Sequence, residues 1–399
     1  MPFVDLIAKD DYTSIWYSTN SPCRNVGGFD PAKPTIVMMH PLHVDSTWLY
    51  PQLDDPRLGS KYNVVVFDTR VTGPSTQRFS GKYDLNVAAA DIAHAFYHLR
   101  LPAAHIFASE VWTLVALRLA AIFPELCLSL TLCNVPSQVE LKGTIDVFEE
   151  MTRLWCFAAD LESFEHACGL LVTSHAAPHA HPDFADELVA FYQMHWPPFQ
   201  ASRLIAIAQV IINRMPMSSN ALRNVQCPVL ICQAENNPLY PFNHADRLCE
   251  DLLNVPGGAT VYGIKSMTGL ITVFSASIIN KVFSAFLSRQ PVTRSDPVYP
   301  TESLAEMMMS GLQRLAEFEH NPLIAFRDPA SPLSFSLVTE EVYKDQEETF
   351  RAFEKGQKYA FSPLGNNGRP LRKFSERKDE TLLIESDGFS YAGTFSSFL

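Results

Sequence analysis

Ala103-Ala104-His105-Ile106-Phe107-Ala108-Ser109-Glu110-Val111-Trp112-Thr113-Leu114-Val115-Ala116-Leu117-Arg118 is the stretch on which the reading of this 399-residue chain turns. Ala104 to Phe107 is an apolar run of strand length, while Leu114, Leu117 and Leu119 to Ile122 supply a buried helical face. An acidic residue, Glu110, stands in the break between strand and helix. Upstream, Ser14 to Ser18, Thr35 to His40 and Asn63 to Asp68 read as strands and Val87 to Leu99 as a helix. That alternation predicts a mostly parallel sheet.

Composition narrows the function classes. Hydrophobic residues make up 47% and charged residues 19% of the chain, and its apolar runs, such as Ile36 to Met39 and Val64 to Phe67, are too short to span a bilayer. The first residues lack the basic-then-apolar pattern of a secretory signal, so a cytoplasmic protein is expected. A net charge of -12 disfavours nucleic acid and anionic lipid as partners. The eight cysteines are scattered without metal-type pairing and read as reduced, mostly buried thiols, and no cofactor or metal is expected.

Downstream, Ser129 to Cys133 reads as a strand, the strand signal then vanishes between about Ser137 and Asn224, and it returns at Pro228 to Cys232 and Thr260 to Ile264. Helices are predicted over 276–287 and 301–318. Past Ser362, Pro363, Gly365-Asn366-Asn367-Gly368 and mixed charge predict disorder, and deletion of that tail is expected to cost little stability.

Five landmarks between residues 30 and 290 together resemble the α/β-hydrolase fold superfamily of the AB hydrolase-1 type. Thr35 to Pro41 resembles the third strand and its His-Gly turn, with Pro41 in place of glycine. Phe67-Asp68-Thr69-Arg70-Val71-Thr72-Gly73-Pro74-Ser75 is similar to the fourth strand and its D-x-R-G-x-G-x-S loop. Ala108-Ser109-Glu110-Val111-Trp112 resembles the G-x-S-x-G elbow, which lifts a nucleophile above the sheet edge. Cys227 to Pro238 resembles the seventh strand and acid loop, and Ile264 to Leu287 the histidine loop and last helix. The resemblance implies an α/β fold: a mostly parallel α/β-hydrolase sheet with helices on both faces, a helical cap insertion and a C-terminal extension. On this reading residues 1–136 and 225–288 form the core, 137–224 the cap, 289–361 a helical extension and 362–399 a disordered tail.

Carried over position by position, the resemblance puts Glu110 in the nucleophile slot, Asn237 in the acid slot and Gly269 in the histidine slot. The alternative acid position holds Asn134, and Ile264 to Phe274 contains no histidine. Losing nucleophile or base costs serine-type hydrolysis about 10⁶ in turnover. A carboxylate nucleophile also needs histidine-activated water to release its ester. The triad is degenerate and ordinary ester hydrolysis is not expected. The backbone N–H groups of Leu42 and Val111 are the implied oxyanion donors. A charged Glu110 beside them, and Trp112 where close helix–strand approach favours glycine, predict a relaxed or re-angled elbow.

Other candidates are weighed against plain structural roles. Burial would make Glu110 an acid or base, and the alternative is a carboxylate at a helix start. Ser109 stands one position before the apex. His43 is a candidate imidazole, whereas His40 matches a position that is usually structural. His175, His179 and His181 have metal-like spacing, but Pro178 and Pro182 favour a solvated cap loop. Trp112 and His40, with Trp155, Trp196, Phe157, Phe164, Tyr192 and Met194 of the cap, are candidate ligand contacts, though aromatics at helical spacing are more often packing. Arg372-Lys373-Phe374-Ser375 resembles a basophilic phosphorylation site, a pattern frequent by chance, and Ser397-Phe398-Leu399 matches a peroxisomal signal only loosely.

Two functional readings follow. The favoured one is a non-hydrolytic pseudoenzyme that binds an apolar small molecule between core and cap, or a protein partner through the C-terminal extension. The other is an enzyme of altered chemistry, a lyase, isomerase or cyclase of secondary metabolism, with Glu110 as general acid or base. A glutamate enclosed near His43 or Lys265 favours the enzyme, and one salt-bridged at the surface favours the binder.

Overall fold

The computed structural model describes residues 2–176, 180–296 and 300–377. Among these, nine strands form one sheet: β1 (Phe3–Ile7), β2 (Tyr12–Thr19), β3 (Thr35–Met39), β4 (Asn63–Phe67), β5 (Thr76–Gln77), β6 (Ala104–Ser109), β7 (Cys127–Cys133), β8 (Val229–Ala234) and β9 (Thr260–Ile264). Their order is β1-β2-β4-β3-β6-β7-β8-β9, with β5 beside β2. β1, β2 and β5 pair antiparallel, and every pairing from β4 through β9 is parallel.

Period-two alternation divides the core between the two faces of the sheet. Val37, Met39, Val65, Phe67, Ile106 and Ala108 point to one side, where helices Leu85–Leu99 and Trp112–Ile122 pack. Ile36, Met38, Val64, Val66 and Phe107 point to the other, against helix Ala276–Leu287, whose Phe283 ring lies 5.1 Å from that of Phe107. Burying one such phenylalanine contributes about 1.5–3 kcal/mol. With both faces covered, β3, β4 and β6 are buried along their whole length, which explains their mostly apolar sequences, His105 in β6 being held by Ser129 Oγ at 2.8 Å.

The insertion after β7 is helical as expected: Lys142–Phe157, Leu161–Ala176, Pro182–His195 and Ala201–Ile212 cover the carboxyl ends of the strands. Arg214 ties its two ends together, donating from Nη1 to Glu140 Oε2 (2.6 Å) and from Nη2 to Ser137 O (2.8 Å). Beyond the core, helix Leu304–Phe318 opens with a Ser303/Glu306 capping box and lies against helix Trp112–Ile122. A Cβ on Gly311 would stand 2.6 Å from the Phe123 ring, so only glycine permits this approach. Arg314 Nη1 also donates to Ile122 O (2.6 Å). Helix Glu340–Gln357 then packs on the cap, where Phe353 lies 4.9 Å from Phe157.

Residues 362–377 correct the expectation of disorder. A Leu364–Pro370 bridge starts a strap across the cap. Arg372 Nε donates to Glu165 Oε1 (2.7 Å), Phe374 is 6% exposed, and the N–H and Oγ of Ser375 donate to Asp186 (2.7 and 2.6 Å). The segment has no core periodicity because it adds one apolar anchor and a few polar contacts to a surface that the cap alone creates. Residues 378–399, with the Ser397-Phe398-Leu399 end, lie outside the described residues.

Candidate functional site

The turn after β6 is sharp. Glu110 has φ 55°, a left-handed conformation that costs a non-glycine residue about 1–2 kcal/mol. It persists because the surroundings hold it: Glu110 N–H donates to Cys133 O (2.8 Å), and Glu110 O accepts from Thr113 N–H (2.9 Å) and Thr113 Oγ1 (2.6 Å). The relaxed elbow expected from Trp112 is therefore absent. The indole is fully buried in the core, edge-on to His40 at 6.1 Å, so a large side chain at 112 leaves the strand-to-helix turn intact.

Glu110 is 1% exposed, and its Oε2 accepts the Leu42 N–H at 2.6 Å. By the resemblance this N–H is an oxyanion donor, so the protein's own carboxyl occupies it. Burial pushes the Glu110 pKa up to about 8, with the Leu42 N–H pulling weakly the other way. At pH 7 the group is mostly a neutral acid, which removes the negative charge expected beside the donor. Its Oε1 has no hydrogen-bond partner. Ser109, one residue earlier, ends β6 with its hydroxyl buried and unpartnered. Lys265 is exposed.

Space beside Gly269, the position the resemblance gives to the histidine, is filled by the cap. A Cβ on Gly269 would lie 3.0 Å from Ser174 O, 3.4 Å from His175 Cα and 3.4 Å from Glu110 Oε1. The end of helix Leu161–Ala176 thus occupies the space that a side chain at 269 would need, and Leu270 N–H fastens it by donating to His175 O (3.1 Å). Both acid positions carry amides that donate to this loop: Asn134 Nδ2 to Gly269 O (2.7 Å) and Asn237 Nδ2 to Met267 O (2.8 Å). Their Oδ1 atoms accept from Ala234 N–H, and from the N–H groups of Leu239 and Tyr240. A carboxylate could not donate to these carbonyls, which accounts for asparagine at both places.

Above Glu110 lies a layer of rings from the cap. His43 has φ 60° and is 1% exposed, with its ring 5.6 Å from His175, 6.0 Å from Phe148, 6.2 Å from Trp196 and 6.4 Å from Tyr192. Neither of its nitrogens has a partner, nor does Tyr192 Oη. Burial, with His175 adding to it, drives the His43 pKa far down, and burial with nearby Glu110 drives the Tyr192 pKa far up. All these groups are neutral at pH 7. His175 corrects the expectation of a solvated histidine loop: it is 5% exposed in the last turn of its helix, with Nδ1 near Leu171 O (3.0 Å), and burial lowers its pKa to about 4. His181 is exposed at the start of the next helix, and His179 lies outside the described residues. Sequence reading weighs His175 as a metal ligand and Tyr192 as a pocket-lining aromatic, but not their place over Glu110, because helical spacing shows that they face inward, not what they meet.

The remaining candidates have structural partners. His40 contacts Pro41 O through Nδ1 (2.7 Å) and Thr72 Oγ1 through Nε2 (2.9 Å), with Asp68 at 3.8 Å. Burial, reinforced by Asp45, raises the Asp68 pKa to about 8. Trp155 Nε1 donates to Trp196 O (2.7 Å), and its ring packs on Phe164 at 4.4 Å. A cavity of about 60 Å³ does open beside Leu42 and Val111, lined further by Phe148, Tyr240 and the Glu140–Arg214 pair. Trp112, Trp155 and Trp196 do not line it. Among the described residues no group of three or more His, Cys, Asp or Glu is placed to hold a metal ion.

In sequence, no protein-family model and no curated protein matches the chain. Solved structures do resemble it. An α/β hydrolase from a Medee basin deep-sea metagenome library superposes with a TM-score of 0.59 at 14% identity, over 72% of this chain and 98% of that one. The enol-lactonase of Burkholderia xenovorans gives 0.55 at 15% identity, over 69% and 97%. A bromoperoxidase from Bacillus anthracis gives 0.57 at 14%, over 72% and 99%. The fold is that of the α/β-hydrolases, as the sequence landmarks implied.

Proposed function

We propose that this protein is a non-hydrolytic α/β-hydrolase-fold scaffold that binds a small molecule or a partner instead of cleaving esters. The observation that carries this reading is the Glu110 carboxyl on the Leu42 N–H, where a substrate oxygen would have to sit, with the cap helix in the space of the histidine side chain. A cavity of about 60 Å³ is far below the roughly 300–1,000 Å³ of ordinary ligand pockets, so a ligand enters as the cap lifts. A partner held through the C-terminal extension is supported by Leu323 and Phe326, exposed at 73% and 84%. A cytoplasmic setting, in which the eight thiols stay reduced, belongs to the same proposal. Purified protein is expected to leave short p-nitrophenyl esters at the background rate, while solvent extraction and mass spectrometry recover a bound molecule or affinity capture a partner. Turnover well above background that is abolished by Ser109→Ala or Glu110→Ala defeats the proposal.

One observation favours a second reading, an enzyme using Glu110 as general acid for a lyase, isomerase or cyclisation step. The acid is enclosed, neutral at pH 7 and has a free Oε1. Glu110→Gln separates the two: a recovered ligand still binds the variant under the first reading, and its conversion to product stops under the second.

A further inference from the structure

We propose that Ser375 is a phosphorylation site whose modification releases the C-terminal strap from the cap. Three observations converge on it. Ser375 is exposed and follows Arg372 by three residues, the spacing that arginine-directed serine kinases read. Its hydroxyl and its N–H are both donors to one carboxylate, Asp186, at 2.6 and 2.7 Å. The strap's other holds include Phe374 in the cap surface and the Arg372 pair with Glu165, itself only 3% exposed.

Phosphorylation forms the Ser375 Oγ–P bond as the bond from the γ-phosphorus of a nucleoside triphosphate to its bridging oxygen breaks. The nucleoside diphosphate leaves, and the hydroxyl proton passes to the kinase's base. The donor to Asp186 is thereby replaced by a group of about -1.5 to -2 charge within touching distance of a carboxylate. Arg372 is engaged on Glu165 and Arg377 lies over the Phe374 ring at 3.6 Å, while the exposed Lys373 brings one positive charge against the phosphate's greater negative charge. Repulsion therefore acts on the contact that positions the strap's end.

The consequence reaches the site. Asp186 and Tyr192 lie on one helix, Pro182–His195, and Glu165 and His175 on another, Leu161–Ala176. The strap spans the outer ends of the two helices that bring His175 and Tyr192 over Glu110. Its release loosens the cap whether the site binds or catalyses.

The test treats the full chain with an arginine-directed serine kinase and Mg-ATP, maps the phosphate by mass spectrometry and follows hydrogen exchange. Exchange over 364–377 and 182–195 is expected to quicken at least tenfold in the phosphorylated protein. In Asp186→Lys the new phosphate meets a cation, so phosphorylation should slow exchange there instead. Should Asp186→Lys fail to fold, Ser375→Glu compared with Ser375→Gln isolates the charge, and only Glu should free the strap. Failure to phosphorylate Ser375, unchanged exchange after stoichiometric phosphorylation, or the same response with Asp or Lys at 186 overturns the proposal.

Discussion

Replacing Glu110 by glutamine should remove a large pH dependence from the stability of this protein. The carboxyl titrates near 8 in the fold against an ordinary value of 4.5. Between those values the unfolded chain ionises it and the folded chain does not, so folding takes up a proton. Its contribution is fully present below pH 4.5 and is lost as pH climbs to 8. At about 1.4 kcal/mol per pH unit the full loss is roughly 5 kcal/mol, of which roughly 3 kcal/mol has gone by pH 7. That is a large part of a typical stability of about 5–15 kcal/mol. Glutamine stays neutral and keeps an acceptor for the Leu42 N–H. Urea unfolding of both proteins from pH 4.5 to 8.5 measures the effect, since Asp68 and the buried histidines titrate equally in each and cancel in the difference. Glu110→Gln should gain several kcal/mol on the parent across that window, the steepest part lying between pH 5 and 8. Two curves that stay parallel within about 1 kcal/mol would refute the argument.

Gly269→Ala places a methyl group 3.0 Å from Ser174 O and should cost about 1–3 kcal/mol, read as a lower melting temperature. An unchanged melting temperature would show that the cap does not fill the histidine slot. Asn134→Asp removes the donor to Gly269 O and sets a carboxylate against a carbonyl. A loss of about 2–3 kcal/mol is expected, with no gain of esterase activity, and a neutral result would remove the account of asparagine at the acid positions. Truncation after residue 361 unseats Phe374, worth about 1.5–3 kcal/mol, and leaves Glu165 buried without Arg372. Calorimetry should show melting several degrees lower, and a shift under one degree would mean that the strap is not docked.

Much of the fold was legible because its signals are local and repeated. The apolar runs of β3 and β4 and the mostly apolar β6 announce strands buried on both faces, and the switch from strand to helix spacing around Glu110 announces the elbow. The strand Phe3–Ile7 escaped notice because it pairs at the edge of the sheet and buries only alternate residues. The docking of 362–377 escaped for another reason, since a segment that borrows its apolar surroundings has no periodicity of its own.

At the site, the sequence by itself determined which groups stand at the positions the resemblance implies: a glutamate at 110, asparagines at 134 and 237, and no imidazole between 264 and 274. Only the tertiary structure decided what those exchanges do. It made Glu110 a neutral acid lodged on Leu42, turned two asparagines into donors that hold the 267–269 backbone, and placed Ser174 and His175 where a histidine side chain would stand. Chemical identity is written residue by residue, but pKa and available space depend on what packs around a group, and here that comes from a cap segment more than sixty residues away in the chain.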